Sequence, residues 1–290
     1  MNDKVAQNTI AAVDGYIRSA LKEREERERN QLRQWIWEGL FDIPVFQISI
    51  RGEDKLSESE ILKIHFALKA LKNGEPIQYI VGHVPFGGLT FRVNRAVLIP
   101  RPETEELVIK LKEKVSGDGL SVLDVGTGSG CIAITLKKWR PTWKVTGCDI
   151  SEDALKVASG NAQLNGVEVQ WLKQDVLQWP IMDDQWDIII SNPPYIPQRE
   201  MEQMDNSVIG FEPHMALFTP DSDPLLFYKA IHQIAEEKLM SKGWIALETH
   251  HHLGQEVAAL WNDQQQWEVV VESDLQGKER FVFVQRKLTT

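Results

Sequence analysis

The chain has 290 residues, a length typical of two domains, and 42% of its residues are hydrophobic and 26% charged. This composition is ordinary for a globular protein and excludes a disordered or collagen-like chain. No apolar run approaches the roughly 18 residues of a membrane helix. Residues Met1–Tyr16 lack the apolar core of a signal peptide, so we expect a protein of the cytoplasm.

The net charge is −10, from 32 Lys and Arg residues against 42 Asp and Glu residues. Because phosphate neutralisation supplies most non-specific affinity for nucleic acids, an acidic chain is a poor candidate for binding duplexes. Two cysteines, Cys131 and Cys148, are too few for a disulfide framework or a cysteine-rich zinc site. We expect both to be free thiols.

The first stretch of the chain is predicted to be helical, because apolar residues recur at roughly helical spacing between Ile17 and Leu40. Within it, the run Lys22–Arg29 has four positive and four negative charges. Glu23 and Arg27 illustrate the favourable i,i+4 spacing of these charges. We interpret the run as a solvated helix face and not as a nucleic-acid-binding arm.

A second helix is predicted after Ser57, which forms a possible capping box with Glu60 ahead of an apolar stripe ending at Leu71. Asn73-Gly74 then supplies a stop signal. Residues 1–75 are therefore predicted to form a small helical domain.

The pattern changes between residues 76 and 100. Two β-prone runs, Phe86–Val93 and Ala96–Ile99, are separated by Asn94-Arg95. This arrangement predicts a β-hairpin that links two domains.

Predicted strands and helices alternate in the remaining residues, 101–290. The predicted strands are Ser121–Val125, Lys144–Asp149, Glu168–Leu172, Trp186–Ser191, Trp244–Glu248, Glu268–Glu272 and Arg280–Gln285. The predicted helices are Glu103–Val115, Cys131–Trp139, Ala154–Leu164 and Pro224–Leu239. Such alternation indicates an α/β fold with a doubly wound, mostly parallel sheet. Only a short turn joins the last two strands, which should be antiparallel.

A glycine-rich turn follows the first predicted strand of this domain. Residues 126–130 read Gly-Thr-Gly-Ser-Gly and run into a helix at Cys131. Glycines let a ligand approach the backbone, and a helix N-terminus offers unpaired N–H groups to an anion. The dinucleotide fingerprint would have its third glycine at Cys131, so the spacing differs. A tight strand–helix connection is the alternative interpretation.

Acidic residues end the next two strands. Asp149 ends the second strand, where a carboxylate can bind both hydroxyls of a ribose. Alternatively it caps the next helix, although Ser151 can serve as that cap and leave Asp149 free. Asp175 and Val176 follow the third strand and could contact an adenine edge and ring.

The sequence Asn-Pro-Pro-Tyr, residues 192–195, follows the strand Trp186–Ser191. Two prolines fix a rigid extended loop where open α/β sheets bind their ligands. Such a loop can aim the Asn192 side chain and the Pro193 carbonyl, both acceptors, at a planar NH2 group. A plain Pro-Pro turn is the alternative.

Together with flanking motifs, these residues resemble class I S-adenosylmethionine-dependent methyltransferases of the Asn-Pro-Pro-Tyr type, and specifically the PrmC (HemK) family. The flanking motifs are Pro76–Gly82, Ile99–Glu105, Phe211-Glu212-Pro213 with Ala216-Leu217, and Asp274–Gly277 with Arg280. The resemblance spans about residues 57–287 and is poor over the first 50 residues.

The resemblance implies a seven-stranded methyltransferase domain at 101–290, a β-hairpin linker at 76–100 and an N-terminal domain at 1–75 that docks the substrate. It also implies site residues. Gly126, Thr127, Gly128, Ser129 and Gly130 would hold the methionine part of S-adenosylmethionine, Asp149 its ribose, and Asp175 and Val176 its adenine. Asn192, Pro193, Pro194 and Tyr195 would bind the acceptor amide, with Asn192 and Pro193 as catalytic residues and Asn192 also near the cofactor. Arg101 and Glu103 would shape the cleft.

The implied activity is methyl transfer to the glutamine side-chain amide of the Gly-Gly-Gln motif in peptide chain release factors. A monomer with no direct nucleic-acid or membrane partner is expected. Two alternatives stay open: an adenine-N6 nucleic-acid methyltransferase, which would use a similar loop for a flipped base, and a non-catalytic protein that binds S-adenosylmethionine.

Two features depart from the family pattern. Gly87-Gly88 stands where the family often has a second aromatic residue. The run His250–His252 follows a predicted strand, and three adjacent histidines cannot all face one metal ion. We interpret them as loop or surface residues and expect no metal site.

Overall fold

The computed structural model describes residues 7–179 and 184–288. The ends of the predicted domains at 1–6 and 289–290, and residues 180–183, lie outside the described residues. Contacts divide the chain into two compact units, Met1–His83 with Asn206–Phe211, and Val84–Asp205 with Glu212–Thr290.

The first unit is helical. Its elements in the first 83 residues are α1 (Ile10–Ala20), α2 (Glu26–Gln34), a π-helical turn (Trp35–Gly39), a 3-10 turn (Val45–Gln47), α3 (Glu58–Lys72) and α4 (Ile77–Val81). Ile17, Trp37 and Ile64 are fully buried members of its core. The predicted capping box is confirmed, since Ser57 accepts the Glu60 N–H and the Glu60 side chain accepts the Ser57 N–H.

The charged run does not form a continuous helix face. Helix α1 ends at Ala20 and α2 begins at Glu26, so the chain turns between them. The surface ion pair within this run joins Arg24 to Glu28, not Glu23 to Arg27 as predicted. A stretch without an apolar stripe has no face to bury, which makes it a natural place for the chain to turn.

The remaining elements alternate between strands and helices. In chain order they are β1 (His83–Phe86), β2 (Leu89–Arg92), α5 (Pro102–Lys114), β3 (Ser121–Val125), α6 (Cys131–Trp139), β4 (Lys144–Asp149), α7 (Glu152–Asn165), β5 (Gln170–Lys173), β6 (Trp186–Ser191), β7 (Ile196–Pro197), α8 (Asn206–Ile209, in the first unit), β8 (Phe218–Thr219), α9 (Leu226–Lys238), β9 (Leu239–Glu248), α10 (Gly254–Ala258), β10 (Trp267–Ser273) and β11 (Glu279–Arg286).

The second unit is built on a seven-stranded sheet with the order β10-β11-β9-β6-β3-β4-β5. Strands β9, β6, β3, β4 and β5 are parallel, and β11 runs antiparallel to both β9 and β10. The predicted mostly parallel sheet and its antiparallel last pair are thus confirmed. From β3 the chain first builds outward through β4 and β5 and then returns to β6 on the other side. Ligands of open α/β sheets bind at this kind of switch point, beyond the carboxyl ends of the strands.

Three predictions about the strands differ from the structure by more than one residue. The hairpin is formed by β1 and β2 and turns at Gly87-Gly88, both at positive φ, whereas Asn94-Arg95 lies after it. Strand β5 is shifted from Glu168–Leu172 to Gln170–Lys173, because it is an edge strand positioned only by β4. Strand β9 begins at Leu239 and not at the predicted Trp244, because Leu239 already pairs with Trp186. The register then shifts before Ile188 pairs with Trp244, and Lys242 at φ +67° lies in that irregular interval.

Candidate active site

A cleft of about 300 Å³ opens at the carboxyl ends of β3, β4, β5 and β6, within the second unit. This volume is at the lower end of the range for small-molecule sites. Its walls are mainly apolar with a few polar groups. Among its lining residues are Val97, Leu98, Gly126, Gly128, Asp149, Ile150, Asp175, Val176, Asn192, Pro193, Pro194, Pro213, Phe227 and Ile231.

The glycine-rich turn presents two of its five residues to this cleft, Gly126 and Gly128. Both have positive φ, +72° and +54°, and a Cβ atom on Gly126 would meet nothing within 4 Å. A bound group can therefore approach the backbone here, where a side chain would obstruct it.

The other three residues of the turn, Thr127, Ser129 and Gly130, are not among the described residues that line the cleft. Thr127 is buried and donates a hydrogen bond to Asp124. A Cβ atom on Gly130 would come within 3.1 Å of Ile134, Trp171 and Ala158, so this glycine serves close packing of the helix. Direct cofactor contact by these three residues stays a prediction.

Asp149 lines the cleft, but its carboxylate is already engaged with the backbone. Its Oδ2 accepts the Gly128 N–H and its Oδ1 accepts the Ser151 N–H, each at 2.9 Å. Burial raises the pKa of Asp149, against these hydrogen bonds, which lower it. Ser151 caps α7 as the sequence indicated, yet Asp149 is not free of local contacts. Each carboxylate oxygen keeps a further lone pair for a ligand hydroxyl.

Asp175 and Val176 also line the cleft, at the end of β5. The Oδ1 atom of Asp175 accepts the Leu177 N–H at 2.9 Å and caps a single 3-10 turn, Val176–Gln178. This turn fixes the carboxylate beside the Val176 side chain, an arrangement that suits a flat ring with a polar edge.

The loop after β6 brings Asn192, Pro193 and Pro194 into the cleft. The Asn192 side chain donates from Nδ2 to Thr104 Oγ1 at 2.9 Å, and its Oδ1 has no hydrogen-bond partner among residues 7–179 and 184–288. Tyr195 is not among the described lining residues, so its contact with the acceptor amide stays a prediction. Its hydroxyl instead donates to the buried Glu248 carboxylate at 3.1 Å.

Asp124 supports the cleft, although no role was predicted for it from the sequence. Buried Asp124 accepts from the Thr127 hydroxyl and the Ala133 N–H through Oδ2, which holds the glycine-rich turn against α6. Burial raises the pKa of Asp124 to about 7. The signal for Asp124 was its position inside the motif, one residue before the strand ends.

The structure also shows the contacts of Arg101, Glu103 and the Asp274 motif, which the sequence had singled out. Arg101 makes an ion pair with buried Glu212, whereas Glu103 is a nearby negative charge that adds to the increase in the pKa of Glu248 caused mainly by burial. Asp274 accepts from Arg280 and from two backbone N–H groups, so this motif is a closed turn between β10 and β11.

The histidine run lies in the loop after β9, as the sequence indicated. His250 pairs with Glu200 at 3.3 Å, and its pKa is lowered mainly by burial. Within the described part of the chain, no group of three or more His, Cys, Asp or Glu side chains could hold a metal ion.

Cys131 and Cys148 are free and buried, and burial raises the pKa of the Cys131 thiol to about 12. Over the described residues, no helix is both long and apolar enough to cross a membrane.

Comparison with known proteins places this cleft in context. The family model described as "Methyltransferase small domain" matches residues 102–209, and the one described as "PrmC N-terminal domain" matches residues 15–82. A release factor glutamine methyltransferase of Flavobacterium psychrophilum is 38% identical over 264 residues, which cover 90% of this chain and 93% of that protein. The chain belongs to the release factor glutamine methyltransferase family.

A second relative in this family, from Bacteroides thetaiotaomicron, is 38% identical over 276 residues, or 94% of this chain and 99% of the relative. A solved methyltransferase structure from Pyrococcus furiosus has a TM-score of 0.52 at 18% identity and covers 80% of this chain and 99% of that one. That likeness concerns the fold, and it agrees with the class I methyltransferase fold expected from the sequence.

The cleft fits S-adenosylmethionine, the methyl donor of this enzyme family. Gly126 and Gly128 leave open space in front of the backbone, where the methionine part would lie. Asp149 and Asp175 offer acceptors to ribose hydroxyls and an adenine amino group, and Ile150 and Val176 offer apolar contact to a ring. The acceptors thus match the polar groups of the ribose and adenine, and the apolar surface matches the adenine ring.

Proposed function

We propose that this protein transfers a methyl group from S-adenosylmethionine to the side-chain amide nitrogen of the glutamine in the Gly-Gly-Gln motif of peptide chain release factors. The observation that carries the proposal is the position of Asn192 and Pro193 in the cleft beside the glycine-rich turn. The relatives named above, similar over nearly their whole length, are release factor glutamine methyltransferases, which supports the choice of substrate.

In the proposed reaction, Asn192 Oδ1 and the Pro193 carbonyl accept the two N–H groups of the substrate amide. An amide nitrogen is a weak nucleophile because its lone pair is delocalised into the carbonyl group. Two acceptors on its N–H groups return electron density to the nitrogen and stabilise the positive charge that develops there. The rigid Pro193-Pro194 segment keeps the acceptors in place, so little reorganisation is needed.

When bound, S-adenosylmethionine supplies an electrophilic methyl group on its sulfonium sulfur. We propose that Gly126 to Gly130, Asp149, Asp175 and Val176 hold it, as outlined above. The titratable residues among those described to line the cleft are Cys148, Asp149 and Asp175. The two carboxylates are proposed cofactor ligands, so we assign no general base, and the amide proton leaves to water after transfer.

We also propose that the helical first unit binds the body of the release factor. The unit exposes large apolar side chains, including Phe46 at 71% and Ile50 at 78%, and Leu62 and Phe66 on α3. Contiguous patches of exposed apolar side chains mark protein contact surfaces, and we propose that these side chains contribute to such a patch. A second contact of this kind makes the intact factor a better substrate than a short peptide. The chain is proposed to act as a monomer in the cytoplasm.

The test is methyl transfer from labelled S-adenosylmethionine to a recombinant release factor, to its Gly-Gly-Gln variant with Gln→Ala, and to duplex DNA. We expect label only on the unmodified factor. Equal labelling of the factor and its Gln→Ala variant, or labelling of DNA alone, would overturn the proposal. A peptide spanning the Gly-Gly-Gln motif should be labelled more slowly than the intact factor.

A further inference from the structure

A chain of hydrogen bonds joins Asn192 to a buried acid. Thr104 Oγ1 accepts from Asn192 Nδ2 at 2.9 Å and donates to Glu248 Oε2 at 2.6 Å. Glu248 Oε1 accepts the Tyr195 hydroxyl at 3.1 Å. Thr104 and Glu248 are 3% and 1% exposed, so water does not compete for these bonds.

The protons in this chain can be arranged in only one way when Glu248 is ionised. A carboxylate accepts but cannot donate, so the single proton of the Thr104 hydroxyl must lie toward Glu248. Only lone pairs of Thr104 then face Asn192. The amide of Asn192 must therefore present its NH2 group to Thr104, which leaves Oδ1 as the free end of a side chain that lines the cleft.

We propose that Glu248 is a positioning residue for methyl transfer: through the Thr104 hydroxyl it holds the Asn192 amide with Oδ1 presented to the substrate. The inference rests on the proposed function, in which Oδ1 accepts a substrate N–H. The opposite orientation of Asn192 would set its own NH2 group against the NH2 group of the glutamine, donor against donor. Correct polarity, and not only position, is what Glu248 supplies.

Protonation of Glu248 reverses this constraint. A protonated carboxyl can donate to Thr104, whose own proton is then free to turn toward Asn192 Oδ1. Burial raises the pKa of Glu248 to about 7, while hydrogen bonds from Thr104 and Tyr195 lower it. Among the described residues, Arg280 and Glu103 are the other charged groups that act on Glu248, while Tyr228 and Cys131 stay neutral near pH 7 because burial raises their pKa values. The productive polarity is therefore present above about pH 7 and lost below it.

The kinetic test compares three variants in single-turnover reactions at saturating S-adenosylmethionine. Thr104→Val removes the hydroxyl with little change of shape and should lower the rate about 10- to 100-fold, as misplaced catalytic groups do. Thr104→Ser restores a hydroxyl and should recover most of that loss. Tyr228→Phe is the matched control, because the Tyr228 hydroxyl donates to the backbone oxygen of Glu248 and not to its carboxylate. Its rate should equal that of the wild type.

We call the hydrogen-bond chain from Glu248 through Thr104 to Asn192 the relay. The pH profile separates this relay from simple structural support by Thr104. The wild-type and Tyr228→Phe rates should rise with pH through about 7, whereas the smaller rate of Thr104→Val should be flat over that range. A full rate in Thr104→Val, a failure of Thr104→Ser to recover, or an unchanged pH limb in Thr104→Val would overturn the relay.

A spectroscopic measurement keeps this result apart from the proposed function. The side-chain NH2 resonances of Asn192, assigned by their absence in Asn192→Ala, should shift with pH through about 7 in the ligand-free protein. The shift should persist in Tyr228→Phe and vanish in Thr104→Val. An Asn192 shift that survives in Thr104→Val, or no shift in the wild type, overturns the relay. If the shift behaves as expected but the factor is not methylated, the proposed function alone has failed.

Discussion

The guanidinium group of Arg101 lies 2.6 Å from the carboxylate of Glu212, whose side chain is 1% exposed. The second carboxylate oxygen accepts the Ile99 N–H at 3.1 Å. The pair thus joins the segment that contributes Val97 and Leu98 to the cleft with the segment that contributes Pro213. Two motifs more than 100 positions apart in sequence are connected at the wall of the active site.

Removal of Arg101 should destabilise the protein. In Arg101→Ala the buried Glu212 keeps a charge without its partner, which costs about 1–3 kcal/mol of unfolding free energy. The measurement is the urea unfolding midpoint. In a Glu212→Gln background the same Arg101→Ala change should cost much less, because no buried charge is left. An equal cost in both backgrounds would show that the ion pair contributes nothing.

Asp149 should be needed for cofactor binding. Charge-assisted hydrogen bonds to ribose hydroxyls contribute about 1.5–3 kcal/mol. Asp149→Ala should therefore weaken S-adenosylmethionine binding tenfold or more, measured by calorimetry. Asp153→Ala is the control, since it removes a nearby acid at the start of α7. The Asp153 side chain is 73% exposed and pairs with Lys156. Unchanged affinity in Asp149→Ala would remove this residue from the site.

The strands and turns that carry the site were predictable because their signals are local. Strand β3 and its glycine turn, and strand β6 with its Pro-Pro loop, each lie within ten consecutive residues. The Asn192–Thr104–Glu248 chain was not predictable in this way, because its hydrogen bonds join residues 88 and 144 positions apart. The hairpin turn was misplaced because Asn94-Arg95 and Gly87-Gly88 are both turn-forming pairs, and only packing decides between them.

Asn192 should separate cofactor binding from chemistry. Asn192→Ala removes one of the two acceptors proposed for the substrate amide, so the single-turnover rate should fall about 100- to 1,000-fold, as it does when one stabilising hydrogen bond at a reacting centre is deleted. Calorimetry should still detect S-adenosylmethionine binding by the folded variant. A near-normal rate would sink the proposed role of this side chain.

Asp124 should make the stability of the protein depend on pH. Its pKa is about 7 in the fold, raised by burial from an ordinary value of 3.8, although hydrogen bonds from Thr127 and Ala133 lower it. Between about pH 4 and 7 the native state therefore keeps a proton that the unfolded chain releases. Because stability falls with rising pH wherever the native state binds more protons, this contribution is present below about pH 4 and lost as the pH rises through 7.

Asp124→Asn tests this expectation without changing the size of the side chain. Its oxygen can accept from Thr127 and Ala133, and its NH2 group takes the place of Oδ1, which is buried without a partner among the described residues. The variant has no charge to bury, so its unfolding free energy relative to wild type should increase from pH 5 to pH 8, measured by urea unfolding of the ligand-free protein. The solvent-exposed control Asp118→Asn should not reproduce that slope. A difference between Asp124→Asn and wild type that stays constant with pH would mean that Asp124 is not the buried titrating group.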